Sequence, residues 1–353
     1  MAVTRVQQSI SSPTVKIPRQ DTSLTIRLPE MFVLFLSGEP IVNRHYKSVK
    51  ELSEAWISRE CYFDERGRRR LQKTDFAYFC SIAAPDAEPE ELRTVIDWGN
   101  WVFPFDDLFD NGSLKDDPER AQILVEDLRA GMADEAGQRP VLSDYPIVQV
   151  HNSVWHRITQ VRIRRRFARA MNDYCTGCLA QVRSCSKGEL PSLEEMLCLR
   201  RQSAGVSPLF ALVEYAHKLD IPDHVFECKS IQEIERIGTD LVLLIQKEGV
   251  SHNLVAICRH NGMPAQVAFN HVGEMLIERY RDWYLALAAL PTWGERVDAD
   301  VQEYIRGVQN VVRANLHWSF RSGRYFGKAN DQVRKTGMVT VRGNNADFKL
   351  SMA

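Results

Sequence analysis

The stretch ELRTVIDWGNWVFPFDDLFD, residues 91–110, joins a long apolar run to a cluster of carboxylates. Its apolar residues recur at three- and four-residue steps, which predicts a helix with a broad buried face. Asp106, Asp107 and Asp110 lie at the end of this run, where their repulsion costs energy unless water or a cation screens it. Acidic side chains also oppose the dipole at a helix C-terminus. The cluster is therefore either a solvated helix end or a cation site, and Mg²⁺ is the ion that such carboxylates suit.

Helical periodicity continues through most of the chain and predicts further helices at 48–61, 118–136, 158–182, 192–219, 266–290 and 297–320. Only residues 23–29 and 338–343 alternate with the two-residue period of strands. Several helices are apolar around most of their circumference, which is typical of helices that are buried on several sides or line a cavity. The sequence thus predicts an all-α fold with one domain at residues 23–328, between loose tails at 1–22 and 329–353.

The composition excludes several classes of protein. The 353 residues carry 45 basic and 46 acidic side chains, so no global field favours nucleic acid or an anionic membrane. We find neither a signal peptide nor an apolar run long enough for a membrane span, and we expect a cytoplasmic protein with reduced cysteines. Cys175 and Cys178 form a CxxC pair without a second pair at zinc-site spacing, which favours ordinary thiols. The basic run at 162–170 is interpreted as a solvated helix face.

Five segments, in this order and spacing, resemble the class I terpene synthases, especially the fungal sesquiterpene cyclases. They are TDFAYFCSIAAPDA (74–87), FDDLFD (105–110), LRRQSAGVSPLFALVEYA (199–216), HNLV (252–255) and HWSFRSGRYF (317–326). The resemblance covers roughly residues 25–330. It implies the isoprenoid synthase fold, a single α-helical bundle around a deep apolar cavity.

The resemblance also implies roles for individual residues. The metal ligands, for a family that normally binds three Mg²⁺ ions, would be Asp106, Asp107 and Asp110. Arg201 would sense the diphosphate, Arg324 would grip it and Tyr325 would donate a hydrogen bond to it. The substrate's hydrocarbon chain would contact Phe76, Phe79, Phe103 and Trp318.

The implied reaction is that of a carbon–oxygen lyase. Farnesyl diphosphate, or a similar prenyl diphosphate, would lose diphosphate with the help of Mg²⁺ and cyclise as an allylic cation. Arginine matches phosphate oxygens with several fixed donors, and aromatic faces attract cations without acting as nucleophiles. The protein would be a monomer or a homodimer.

One family motif is missing. The second metal motif, N-D-x-x-S-x-x-x-E, should begin near residue 246, but GTDLVLLIQKEGVSHNLV (238–255) contains no such pattern. The motif is best explained as deleted between Ile245 and Gln246; alternatively, Asp240 and Glu248 are remnants of a degraded site. Without the second cluster, we predict weak or absent turnover, because metal ions neutralise the leaving diphosphate.

Two alternatives to an active cyclase stay open. One is a non-catalytic relative that binds a prenyl diphosphate. The other is a prenyl diphosphate synthase, although such enzymes usually carry two DDxxD motifs and this chain has one.

Overall fold

The computed structural model describes residues 23–110, 112–133, 143, 145–187, 192–245, 254–322, 325–342 and 349–350. Helices dominate these residues, and the predicted all-α fold is confirmed. The helices are α1 Tyr46–Glu60, α2 Glu65–Thr74, α3 Phe76–Ala83, α4 Pro89–Asp110, α5 Pro118–Gly131, α6 Pro146–Arg157, α7 Val161–Lys187, α8 Leu193–Ser203, α9 Val206–Ala216, α10 Asp223–Phe226, α11 Lys229–Ile245, α12 Leu254–His260, α13 Ala265–Ala288, α14 Glu295–Arg321 and α15 Asn330–Thr336. The strands are β1 Ser23–Arg27, β2 Met338–Arg342 and β3 Lys349–Leu350.

Helix α4 lies at the centre of the bundle. It packs against α1, α3, α6, α7 and α9, which explains why it is apolar around most of its circumference. Trp98, Trp101 and Phe105 follow one another at three- and four-residue steps and are fully buried. Helix α14 packs against α3, α9 and α11, so the two long helices hold α3 between them. The carboxylates at the end of this buried run are therefore fixed by a helix that packs against five others.

Helices α8 and α9 are separated by a sharp break. Ser192 caps the start of α8 in a reciprocal arrangement with Glu195, which satisfies two backbone donors at the helix end. After Ser203, the chain turns at Gly205, whose φ of 66° is a left-handed conformation that favours glycine. This break packs against α4 about two turns before its end, because a Cβ at Gly205 would lie 3.3 Å from a methyl carbon of Val102.

The two alternating segments form a small antiparallel sheet. β1 pairs with β2 in a register that places Ile26 opposite Val339, and β2 pairs with β3. Gln266 at the start of α13 hydrogen-bonds both the N–H and the C=O of Arg27, at 2.9 Å each. The predicted loose tail from residue 329 differs from this arrangement, because α15 and β2 occupy residues 330–342 and Val333 is buried. The predicted tail at residues 1–22 lies outside the described residues.

The basic face of α7 is neutralised by acids of neighbouring segments. Arg166 pairs with the buried Glu214 of α9, and both Arg165 and Arg166 pair with Asp223. No helix within the described residues combines the length and apolar character needed to cross a membrane.

Candidate active site

The three aspartates at the end of α4 point in two directions. Asp106 accepts a hydrogen bond from the hydroxyl of Tyr174 on α7, and Asp110 accepts one from Gln181, two turns further along α7, at 2.6 Å. Asp107 instead faces α2, where its carboxylate lies 3.4 Å from the guanidinium of Arg70. The i, i+4 pair thus shares one face of α4, as helix geometry requires, and the third carboxylate lies about 100° round the helix axis.

Asp106 and Asp110 fit the needs of a magnesium ion. Mg²⁺ is usually held by one or two protein carboxylates, several waters and the phosphates of a substrate. Tyr174 and Gln181 orient these two carboxylates by hydrogen-bonding to them, as partners of metal ligands commonly do. Among the described residues, no group of three or more His, Cys, Asp or Glu side chains is arranged to hold a metal ion by itself. A cation here would therefore depend on water and substrate oxygens for most of its ligands.

A cavity of about 60 Å³ begins at Asp106 and runs into the bundle. The four aromatic side chains that were predicted to contact the substrate all line this cavity, namely Phe76, Phe79, Phe103 and Trp318. The remaining lining is mainly apolar and comes from α4, the α8–α9 break, α11 and α14. Pockets for small molecules usually measure roughly 300–1,000 Å³, so the cavity must widen before it can hold a ligand of that size.

The four aromatic rings touch one another across three helices. Phe76 stacks on Phe79 with ring centroids 4.3 Å apart and meets Phe103 edge-on at 4.7 Å. Trp318 closes the group at 5.4 Å from Phe103, and its indole N–H donates to the carbonyl of Thr74 at 2.6 Å. Because this N–H is already used, the indole presents its ring surface to the cavity side rather than its polar edge.

The two adjacent arginines of α8 have different surroundings. Arg200 lines the cavity together with Asp106, whereas Arg201 forms a two-pronged ion pair with Asp240 of α11, at 2.6 and 2.9 Å. Consecutive helical residues lie about 100° apart, so the two side chains cannot face the same neighbour. The sequence pointed to Arg201 and passed over Arg200. The spacing within α8 alone carries no signal that could have decided which of the two faces the cavity.

Two further residues beside the candidate site were also missed. Asn315 is buried and lines the cavity, and the buried Tyr174 donates to Asp106, but each looks like ordinary core in a helical pattern. Burial and the neighbouring Asp106 carboxylate raise the pKa of the Tyr174 hydroxyl well above its ordinary value. This hydroxyl therefore stays protonated and remains a donor.

The C-terminal pair that was expected to bind diphosphate is described in part. Arg324 lies outside the described residues. Tyr325 is buried and packs edge-on against Trp318, with ring centroids 5.5 Å apart. The side chain predicted to donate to diphosphate is thus next to the aromatic wall of the cavity.

The region of the missing metal motif begins at the end of α11. Gln246, Glu248 and the rest of 246–253 lie outside the described residues. Asp240 is fully buried and accepts hydrogen bonds from three guanidinium groups, those of Arg201, Arg236 and Arg279. Oδ2 accepts three of the four donated hydrogen bonds and Oδ1 accepts one, so guanidinium groups already occupy both oxygens and Asp240 is poorly suited to replace a lost metal ligand.

Comparison with known proteins identifies the class. Residues 97–282 match the model of terpene synthase family 2, C-terminal metal binding. The chain is 37% identical to silphinene synthase peniA of Penicillium patulum, over 96% of this chain and 94% of that protein. It is 34% identical to (+)-eremophilene synthase of Gibberella fujikuroi, over 86% of this chain and 88% of that one.

Solved structures agree on the fold. A crystal structure of α-eudesmol synthase superposes with a TM-score of 0.73 at 19% identity, covering 81% of this chain and 98% of the other. The chain belongs to the terpene synthase family, and the predicted family and fold are confirmed. Membership implies dependence on a divalent metal and a prenyl diphosphate as the substrate class.

Proposed function

We propose that this chain is a sesquiterpene cyclase that binds farnesyl diphosphate with Mg²⁺ and, as its sequence stands, turns it over weakly. One observation carries the proposal, which is that an aromatic cavity ends at a carboxylate and an arginine, Asp106 and Arg200. Such a site suits a ligand with an apolar body and an anionic head. The name of one relative, sesquiterpene synthase 3 of Postia placenta, supports a substrate of fifteen carbons.

The binding roles follow from the chemistry of the side chains. Asp106 and Asp110 would hold the cation, with Tyr174 and Gln181 fixing their orientation. When bound, Mg²⁺ supplies Lewis-acid neutralisation of the departing diphosphate. The guanidinium groups of α8 and of Arg324 would bind the diphosphate oxygens with several donors each.

The aromatic side chains that line the cavity would contact the hydrocarbon chain of the substrate. Phe76, Phe79, Phe103 and Trp318 offer ring faces that stabilise positive charge through their quadrupoles and give no nucleophile for it to react with. Their mutual packing also excludes water, which would otherwise capture an allylic cation. Since the cavity measures about 60 Å³, the walls must part when the substrate enters.

The missing second metal motif is the reason for the reduced turnover that we propose. The segment between Ile245 and Leu254 is too short for N-D-x-x-S-x-x-x-E and contains no Asn–Ser–Glu pattern. This observation also favours the second candidate, a relative that binds prenyl diphosphate without turnover. No sequence feature favours a prenyl diphosphate synthase, which usually needs a second DDxxD.

Two measurements test the proposal. Calorimetry with inorganic diphosphate and MgCl₂ should show metal-dependent binding that Asp106→Asn abolishes. Asp107→Asn is the matched control, since Asp107 faces Arg70, and it should retain most of the affinity. Gas chromatography of extracts after incubation with farnesyl diphosphate should show little or no hydrocarbon product. Robust cyclisation by this chain would disprove the argument from the missing motif, and unchanged affinity in Asp106→Asn would place the site elsewhere.

A further inference from the structure

A second pocket, of about 560 Å³, lies at the opposite end of α4 from the aspartates. Its lining comes from the first half of α1, the first turns of α4 and the ends of α6 and α9, and we call it the α1–α4 pocket. A helix rises 1.5 Å per residue, so Arg93 in this pocket lies about 20 Å from Asp106 along α4. The volume falls within the range of roughly 300–1,000 Å³ that is usual for small-molecule sites.

Two arginines line this pocket and are held in place by the same groups. The fully buried carboxylate of Asp97 accepts hydrogen bonds from Nε of Arg93 and from a terminal nitrogen of Arg157, at 2.7 Å each. Both guanidinium groups also lie over the ring of Trp56, at 5.7 and 5.3 Å from its centroid. A ligand that binds them therefore finds two side chains that are already ordered, which lowers the entropy cost of binding.

The two guanidinium groups keep positive charge and unused donors. Within the part of the chain that the structure describes, Asp97 is the only carboxylate in ion-pair contact with either Arg93 or Arg157. One negative charge thus faces two positive charges, and each guanidinium has five N–H donors, most of which Asp97 does not use. Since the two side chains are 25% and 32% exposed, a ligand can reach them in a place that is partly shielded from water.

The rest of the lining is mostly apolar or already hydrogen-bonded. Leu52 of α1 is 60% exposed and offers an apolar surface, together with Val49. The buried hydroxyl groups of Thr94 and Tyr215 lie 3.3 Å apart and bond to each other. The one acid in the lining, Glu90, is exposed. The pocket therefore suits an anion that carries a small apolar body.

A phosphate group matches two arginines better than a carboxylate does. A carboxylate presents two oxygens, which a single guanidinium can bind in a two-pronged pair. A phosphomonoester presents three terminal oxygens and carries about −1.5 to −2 charges near pH 7, so it can engage both guanidinium groups at once.

We propose that the α1–α4 pocket is a second ligand site, separate from the active site, which binds a phosphomonoester with a small apolar body. Arg93 and Arg157 bind the phosphate oxygens, and Asp97 and Trp56 position the two guanidinium groups. Binding requires no divalent metal, because the arginines neutralise the phosphate. The pocket shares no lining residue with the cavity at Asp106, so the inference stands independently of the proposed function.

The test is calorimetry of the full chain with phenyl phosphate in the presence of EDTA, which silences any metal-dependent site. One phenyl phosphate should bind per chain. Inorganic phosphate should bind at least about fivefold more weakly, because it lacks the apolar body. Benzoate should also bind at least about fivefold more weakly, since it offers fewer oxygens and less charge. Equal affinity for benzoate would overturn the assignment of a phosphate, and no binding of phenyl phosphate would overturn the site.

Substitutions of the two arginines locate the site. Arg157→Gln and Arg93→Gln should each weaken phenyl phosphate binding by about tenfold, through the loss of charged hydrogen bonds. Each variant leaves Asp97 with the other guanidinium, so the buried carboxylate keeps a partner. Arg306→Gln is the control for lost positive charge, because Arg306 pairs with Glu303 on α14, and it should leave the affinity unchanged.

Two exposed positions supply variants that leave the buried ion pairs intact. Glu90→Gln should strengthen phenyl phosphate binding by about twofold, because it removes a negative charge from the pocket. Leu52→Glu should weaken it by about fivefold, because it adds one. An arginine pair that only stabilises the fold would leave the affinity unchanged in both variants, and that result would overturn the proposal.

The binding results also separate this site from the proposed active site. Phenyl phosphate binding that Arg200→Gln abolishes and Arg157→Gln leaves unchanged would assign the ligand to the cavity at Asp106 and overturn the second site. Mg²⁺-dependent binding of diphosphate should persist in Arg157→Gln, because that binding belongs to the other end of α4.

Discussion

The hydroxyl of Tyr174 on α7 donates a hydrogen bond to the carboxylate of Asp106 on α4, at the mouth of the aromatic cavity. The two residues are 68 positions apart in the chain, and Tyr174 is fully buried. This contact joins the end of the central helix to the longest neighbour that packs on it. It fixes the carboxylate that the proposed metal site depends on most.

Tyr174→Phe should weaken the metal site and the fold together. Loss of the orienting donor should raise the Mg²⁺ concentration for half-maximal diphosphate binding by about tenfold, since partners of metal ligands have effects of this size. The free energy of unfolding should fall by about 1 kcal/mol. Calorimetry and urea titration measure the two effects. Tyr215→Phe is the control, because that buried hydroxyl lies near Thr94 instead, and an equal effect on Mg²⁺ dependence there would refute the role of Tyr174.

Restoring the missing motif should restore catalysis. Insertion of an N-D-x-x-S-x-x-x-E segment between Ile245 and Gln246 should raise sesquiterpene formation by at least about 100-fold, because Lewis-acid neutralisation of the leaving group returns. Gas chromatography of the products is the measurement. An insertion of equal length with alanine at the Asn, Ser and Glu positions controls for loop length. The idea fails if both insertions give the same amount of product.

Gly205→Ala should strain the α8–α9 break. The left-handed backbone at φ 66° costs an L-residue about 1–2 kcal/mol, and the new Cβ would press on Val102. Relief of this strain should displace the neighbouring arginines and weaken diphosphate binding by about tenfold. Gly262→Ala is the matched control, since its φ is 87° and nothing lies within 4 Å of a Cβ there. It should lower stability similarly and leave binding unchanged; parallel losses of affinity would contradict the expectation.

Stability should fall on acidification because of a buried histidine. His151 lies between Trp101 and Phe167, and burial lowers its pKa to about 3 from the ordinary 6.5. Below pH 6.5 the His151 side chain takes up a proton in the unfolded chain but stays neutral in the folded protein. The stability present above pH 6.5 is therefore lost as the pH falls toward 3. The loss amounts to about 1.4 kcal/mol per pH unit for this group.

His151→Phe should reduce the slope of the free energy of unfolding against pH by the contribution of one proton, about 1.4 kcal/mol per pH unit. Urea titrations between pH 7 and pH 4.5 give the free energy of unfolding at each pH. His317 has its pKa lowered to about 4 by burial and contributes a further slope in both proteins. His156→Gln on the exposed side of the same helix is the control and should leave the slope as it was. An unaltered slope in His151→Phe would exclude this histidine as the cause.

The sequence by itself determined the class of fold and which of the three aspartates share a helix face. The 3.6-residue period fixes which residues share a helix face, so the shared direction of Asp106 and Asp110 and the broad apolar face of α4 follow from local spacing alone. The absence of the second metal motif is likewise a property of the sequence. It needs no coordinates, because a motif of fixed spacing is either present in the chain or missing from it.

Only the tertiary structure decided which residues each helix face and each strand contacts. It turned Arg200 toward the cavity and Arg201 toward Asp240, placed Tyr174 against Asp106, and paired β1 with β2 across more than 300 residues of chain. These contacts join segments that are distant in sequence, and helical spacing sets only an angle about each helix axis. The partner found at that angle depends on how the whole bundle packs, which is why the arginine that lines the cavity and the carboxylate that pairs with Arg201 emerge from the structure alone.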